Sequence, residues 1–203
     1  MTANNQAPGK INGFWVVFLI LLCIVSAAIG YEAYVMSRPK GEYGNLGGDF
    51  TLQGIDGPVS LSNFKGKVVV LYFGYTSCPD VCPTSLATLG QAIRLLPKDE
   101  QNDVQGIFVS VDPERDNLQK LADYSRFFYP TMIGITGQDN QLQALARQYG
   151  AFYRRVELKD SAMGYAMDHT SSLYLINKDG VLSKAIHHGS TPDQIKNSIQ
   201  ALL

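Results

Sequence analysis

The sequence predicts an α/β domain: a mixed β-sheet flanked by helices, opened by an N-terminal hairpin and preceded by one N-terminal transmembrane helix. Three observations predict it. Short apolar runs of strand length alternate with segments whose apolar residues recur every three or four positions. The last two strand-like runs are separated only by the turn Lys178-Asp179-Gly180, so the sheet closes with an antiparallel hairpin rather than another crossover. A pair of cysteines stands where a buried strand passes into a helix.

The elements follow in order. Phe14–Tyr31, "FWVVFLILLCIVSAAIGY", runs eighteen residues without a charge. As a helix it would be roughly 27 Å long, close to the hydrocarbon thickness of a bilayer. Trp15 at one end and Tyr31 and Tyr34 at the other suit the two interfaces. Ser26-Ala27-Ala28 resembles a cleavage site, but the apolar run continues to spanning length, which favours an uncleaved anchor. Leu22 is not the small residue that lipoprotein processing wants before Cys23, so Cys23 reads as an apolar filler.

The expected organisation is a cytoplasmic tail at 1–13, an anchor at 14–36, a Gly-rich linker at 37–48 and a domain at 49–203. Lys10 lies on one side of the run and Arg38 and Lys40 on the other, a weak charge bias. The short tail without an Arg-rich leader favours a bacterial inner-membrane protein whose domain faces the periplasm.

Within the domain, Ile55-Asp56-Gly57-Pro58 turns a first hairpin, and Val68–Gly74, "VVVLYFG", has the composition of a fully buried strand. Helical spacing follows over Pro83–Leu96, through Leu86, Leu89, Ile93 and Leu96. Gly106–Val111 is a second buried strand and Asn117–Phe128 a helix closed by Pro130. "TMIGIT" is a strand, Asp139–Tyr149 a helix ended by Gly150, and "FYRRVEL", "SSLYLIN" and "VLSKAIH" are the last strands. Thr191 caps a closing helix with Pro192 in its first position. With cysteines at the strand-to-helix junction, this order is thioredoxin-like.

Charge narrows the partner. The whole chain carries −1, and from Gly41 onward 14 Lys/Arg stand against 17 Asp/Glu, a balance of −3. A nucleic-acid partner is excluded, because a phosphate-binding surface needs a basic excess.

Cys78 and Cys82 lie in "YFGYTSCPDVCPT". If the first turn is already helical they sit at i and i+4, with Cβ atoms about 5–6 Å apart. Their Cα atoms would be about 6 Å apart, near the long end of the disulfide range, whereas a metal bound at about 2.3 Å spans such a gap without strain. Geometry leans toward a clamp and leaves a redox pair open. The helix N-terminus favours thiolates, and Pro79 and Pro83 fit early helical positions.

Two thiolates seldom complete a metal site, and the third ligand must come from His169, His187 or His188. His169 reads as a loop residue before a strand, able to face the start of the cysteine helix, whereas His187 and His188 read as solvent-facing. Soft thiolates select Cu(I), and imidazole suits copper and zinc alike, so the donor set alone admits both metals. Asp80 reads as a first-turn acid, and Asp168 either as an orienting partner of His169 or as a loop cap. Asp112, Arg115 and Asp116 read as a functional loop or a self-satisfied one. The aromatics of "YFGY" and "RFFYP" read as core.

"YFGYTSCPDVCPTSL", "VSVDPERD" and "MDHTSSLYLIN", in that order, resemble the Sco/SenC family, which serves assembly of cytochrome c oxidase. The similarity runs from about Gly48 to the C-terminus. The resemblance implies a thioredoxin-like domain binding one copper, as Cu(I) and secondarily Cu(II), through Cys78, Cys82 and His169. It implies delivery to the oxidase subunit that carries the dinuclear copper site, with an upstream copper donor and a thiol reductase as further partners. The alternative role it implies is thiol–disulfide exchange at Cys78 and Cys82, reducing that subunit's cysteines or sensing redox state. "VCPT" and the "FKGK" lead-in also resemble a peroxiredoxin. Pro79 and the lack of a distal resolving cysteine make that the weakest reading.

Overall fold

The computed structural model describes residues 13–36, 43–159 and 161–203, with side chains in the first helix described from 16 to 31. Of the sequence expectations, the tail before Gly13, linker residues 37–42 and the side chains of Trp15 and Tyr34 lie outside the described residues. The chain divides into two units, Met1–Pro39 and Lys40–Leu203. In the first, α1 covers Gly13–Met36, and its side chains from Val16 to Tyr31 are all exposed. Among the described residues, no helix is long and apolar enough to cross a membrane. The expected anchor therefore rests on the sequence alone.

The second unit is a seven-stranded mixed sheet in the order β2-β1-β5-β4-β3-β8-β9. β1 (Thr51–Gly54) and β2 (Gly57–Ser60) form the expected hairpin around Ile55-Asp56. At its centre β3 (Val68–Gly74), β4 (Val104–Ser110) and β5 (Ile133–Thr136) run parallel. β8 (Leu173–Ile176) pairs antiparallel with β3, and β9 (Leu182–Ile186) with β8. The helices are α2 (Val81–Arg94), a short α3 (Lys98–Gln101), α4 (Leu118–Phe128), α5 (Asp139–Gln148) and α6 (Pro192–Gln200).

The two faces of β3 explain its uninterrupted apolar run. Val68, Val70 and Tyr72 pack in one core with Leu86 and Ile93 of α2, Leu121 of α4 and Ile199 of α6. Val69, Leu71 and Phe73 pack in the other with Leu142 and Leu145 of α5. A strand covered on both sides has no polar face to alternate with. Ligand sites in open α/β sheets lie beyond the carboxyl ends of the strands. Beyond the ends of β3 and β4 lie Tyr75–Asp80 and Val111–Asn117.

One strand departs from expectation. "YAMDH" forms β7 (Tyr165–His169), which pairs with β6 (Tyr153–Glu157) in a two-stranded ribbon that joins no strand of the main sheet. His169 is therefore a strand residue opposite Tyr153, not a loop residue. Alternation is visible within β7, where Tyr165, Met167 and His169 are more covered than Asp168. The aromatic segment "RFFYP" is also split: Phe128 and Tyr129 are buried, whereas Phe127 is 81% exposed.

Candidate metal centre

The cysteine arm begins at Gly74. β3 ends there, Tyr75 stays buried, and the chain turns outward before α2 starts at Val81 with Asp80 as its cap. Cys78 thus precedes the helix, and the helical i, i+4 placement considered from the sequence does not apply. Pro79 likewise lies outside the helix, while Pro83 sits in its first turn, where its missing N–H does no harm. The Cys82 amide donates to Cys78 Sγ over 3.4 Å, so the first sulfur caps an otherwise open helical N–H. Asp80 accepts a bond from the Thr84 hydroxyl at 3.2 Å.

Cys82 is fully buried and Cys78 half-buried, and neither is in a disulfide. The sulfur of Cys82 fits because residue 74 is glycine: a Cβ there would stand 2.8 Å from it and 3.0 Å from the Phe108 ring. The environments separate the two thiols. The bond shared with Cys82, against the opposing cost of burial, pulls Cys78 down to about 3. The same bond, joined by burial, pushes Cys82 upward. Cys78 is the ready thiolate and Cys82 the retained thiol. Burial, with the neighbouring Cys82, also pushes the Tyr72 phenol upward, so it stays neutral beside the site.

His169 arrives from the ribbon. Its Nε2 lies 3.3 Å from Cys82 Sγ and its Nδ1 3.1 Å from the Thr170 carbonyl oxygen. A carbonyl can only accept, so Nδ1 carries the hydrogen and Nε2 presents its lone pair toward the sulfurs. The ring sits edge-on to Tyr72 and Tyr75, at centroid distances of 6.1 and 5.9 Å. The ligand atoms of Cys78, Cys82 and His169 all lie within 4.8 Å of one another, the spacing of a site that could hold a metal ion.

The other candidates separate from this centre. Asp168 pairs with Arg154 at 3.2 Å rather than orienting His169, whose partner is the Thr170 carbonyl. His187 and His188 are exposed, and His188 Nδ1 lies 2.9 Å from Ser85 Oγ.

The loop after β4 has a role that the sequence reading left undecided. Asp116, 1% exposed, accepts from the Thr76 amide at 2.9 Å, the Thr76 hydroxyl, Ser110 Oγ at 2.7 Å and Lys120 Nζ at 3.2 Å. It anchors the cysteine arm. Asp112, 3% exposed, pairs with Arg115 and accepts from Tyr165 Oη at 2.7 Å. Burial and that bond push the Tyr165 phenol up to about 12, so it remains a donor.

Comparison with known proteins agrees with this geometry. The family description SCO1/SenC matches residues 38–203. An SCO2-like protein of Rickettsia felis is 37% identical over 151 residues, covering 74% of this chain and 73% of that protein. The Arabidopsis thaliana ScoI structure with copper bound superposes with a TM-score of 0.70 at 36% identity, over 76% of this chain and 95% of that one. A structure of BsSco, a member of the Sco family of cytochrome c oxidase assembly proteins in which a disulfide switch was identified, aligns with a TM-score of 0.60. It is 28% identical, over 78% of this chain and 94% of that one. Its sequence match, fold and paired cysteines together place the chain in the SCO1/SenC family.

Proposed function

We propose that this chain is a membrane-anchored copper metallochaperone, holding one Cu(I) between Cys78, Cys82 and His169 and delivering it to the copper-carrying subunit of cytochrome c oxidase during assembly. The observation that carries this reading is the convergence of two sulfurs and one imidazole nitrogen within 4.8 Å, with the histidine hydrogen-bonded so that Nε2 is free to ligate. Two thiolates and a neutral imidazole suit a three-coordinate cuprous ion, and such a site can pass its metal on by ligand exchange. The copper-bound relative supports the choice of copper over zinc. Anchoring by Phe14–Tyr31 is supported by its uncharged length, and we place the domain on the periplasmic side of a bacterial inner membrane. Both sulfurs must be reduced to bind metal, so a reductase and an upstream copper donor complete the scheme.

The asymmetry of the thiols favours a second reading. An accessible thiolate at Cys78 beside a buried thiol at Cys82 is also the layout of a thiol–disulfide exchanger. In that reading Cys78 attacks and Cys82 resolves, and the oxidase subunit's cysteines are the substrate.

An anaerobic Cu(I) titration of the reduced full chain against a competing chelator, beside His169→Ala, separates the two. Cys23→Ser in both proteins leaves only the paired thiols. One tight equivalent in the parent, weakened in the variant by more than the roughly 10–100-fold cost of losing an outer partner, is expected. Copper retention indifferent to His169 would leave disulfide exchange as the function.

A further inference from the structure

We propose that Tyr165 and Arg115 are positioning residues for His169: with Asp112 they fasten the β6–β7 ribbon to the loop after β4 and fix where the imidazole meets the cysteine arm. This rests on the copper reading above. The ribbon pairs with no strand of the main sheet, so backbone hydrogen bonding to that sheet does not set its position. Side chains must. Tyr165 lies on the same strand face as His169, roughly 13 Å before it along β7.

The fastening is continuous. Tyr165 Oη donates to the buried Asp112 over 2.7 Å. The Arg115 guanidinium lies over the Tyr165 ring, 3.7 Å from its centroid, and Nη1 donates to the Tyr165 carbonyl at 3.0 Å. Its Nε pairs with Asp112. Arg115 also lies 5.5 Å from the Tyr75 centroid, and Tyr75 is one of the two rings edge-on to His169. Arg115 therefore bridges a ring held on the cysteine arm and a ring held on the histidine arm. Asp116 grips the cysteine arm separately, through Thr76. The Tyr165 hydroxyl bonds Asp112 rather than the cysteine arm, so removing it loosens the histidine arm while the Thr76 grip stays in place.

Tyr165→Phe removes one hydroxyl and keeps the ring on which Arg115 stacks. In the reduced full chain with Cys23→Ser, competition titration with Cu(I) should show a measurable loss of affinity, smaller than the roughly 10–100-fold cost of removing a ligand's own hydrogen-bond partner. In a His169→Ala background the same substitution should add no further loss, because its effect passes through His169. Equal loss in both backgrounds would overturn the proposal, as would unchanged affinity in Tyr165→Phe alone.

Nitrogen NMR of the His169 imidazole in the metal-free protein gives a readout independent of copper. The parent should show one tautomer with hydrogen on Nδ1, and Tyr165→Phe a shift toward tautomer averaging. Identical signals would also overturn the proposal. A parent without a tight copper site, yet with the NMR shift present, would sink the copper reading and leave the positioning role standing. If thermal melts show Tyr165→Phe unfolded, Arg115→Lys carries the NMR measurement with the same expected direction, since it keeps the charge and loses the planar fork.

Discussion

The two arms of the metal centre are built differently. The cysteine arm grows from β3, within the sheet between β4 and β8, and its deeper sulfur is buried against Gly74. The histidine arm is a ribbon outside that sheet, held at one end by Tyr153 Oη on Asp139 at 2.9 Å and at the other by Tyr165 on Asp112. A buried strand and a ribbon held by a few side chains differ in local stability, and mobile functional elements are drawn from the weaker kind. For the proposed copper site the comparison teaches a division of labour: the sulfurs would grip the ion, and the imidazole would set how firmly it is held.

That division can be broken from the cysteine side first. Cys82→Ser should abolish tight Cu(I) binding in the competition titration, because a hydroxyl is a hard donor and the arm has no other soft atom at that depth. Gly74→Ala should come next. A Cβ 2.8 Å from Cys82 Sγ and 3.0 Å from Phe108 must displace the sulfur or the strand. Denaturant unfolding should show a loss of about 1–3 kcal/mol, accompanied by weaker copper binding.

Asp116→Asn leaves one acceptor oxygen where Thr76, Ser110 and Lys120 now share two. A destabilisation of about 1–3 kcal/mol is expected, with altered alkylation kinetics at Cys78 and unchanged His169 NMR signals. A change at His169 alone would contradict the separation of the arms.

The thiol asymmetry predicts pH-dependent effects. Cys78 is lowered from 9.0 to about 3, so its ionised form favours the folded state. The contribution is complete above the unfolded value and is lost as pH falls toward the folded one. The stability difference between the reduced parent and Cys78→Ser should therefore grow between about pH 4 and pH 8. A difference that stays flat would contradict the assignment of Cys78 as the thiolate. Metal binding releases ligand protons. Since Cys78 is already ionised and Cys82 is not, Cu(I) uptake near neutral pH should release about one proton rather than two, measurable in weakly buffered solution.

Much of this was legible in the sequence, for identifiable reasons. Val68–Gly74 announced itself because burial on both faces leaves only apolar side chains, and Thr191-Pro192 announced α6 through its cap. The cysteines were legible because both stand in one short segment at a strand-to-helix junction. Their local geometry was not: Asp80 delays α2, so Cys78 caps the helix from outside instead of riding on it. β7 was missed although Tyr165, Met167 and His169 alternate with Ala166 and Asp168, because its inward face mixes a phenol, a thioether and an imidazole rather than aliphatics. The Asp116–Thr76 bond joins residues 40 apart, and the Gly74 contact depends on where the Cys82 sulfur points. Neither leaves a local pattern to read.

The central claim is that both arms close on a single ion. X-ray absorption at the copper edge of the reduced, Cu(I)-loaded chain tests it most directly. The account predicts two sulfur neighbours near 2.3 Å, the metal–thiolate distance seen for zinc, and one nitrogen with the outer scattering of an imidazole, the nitrogen vanishing in His169→Ala. A copper bound by sulfur alone in the parent would contradict it.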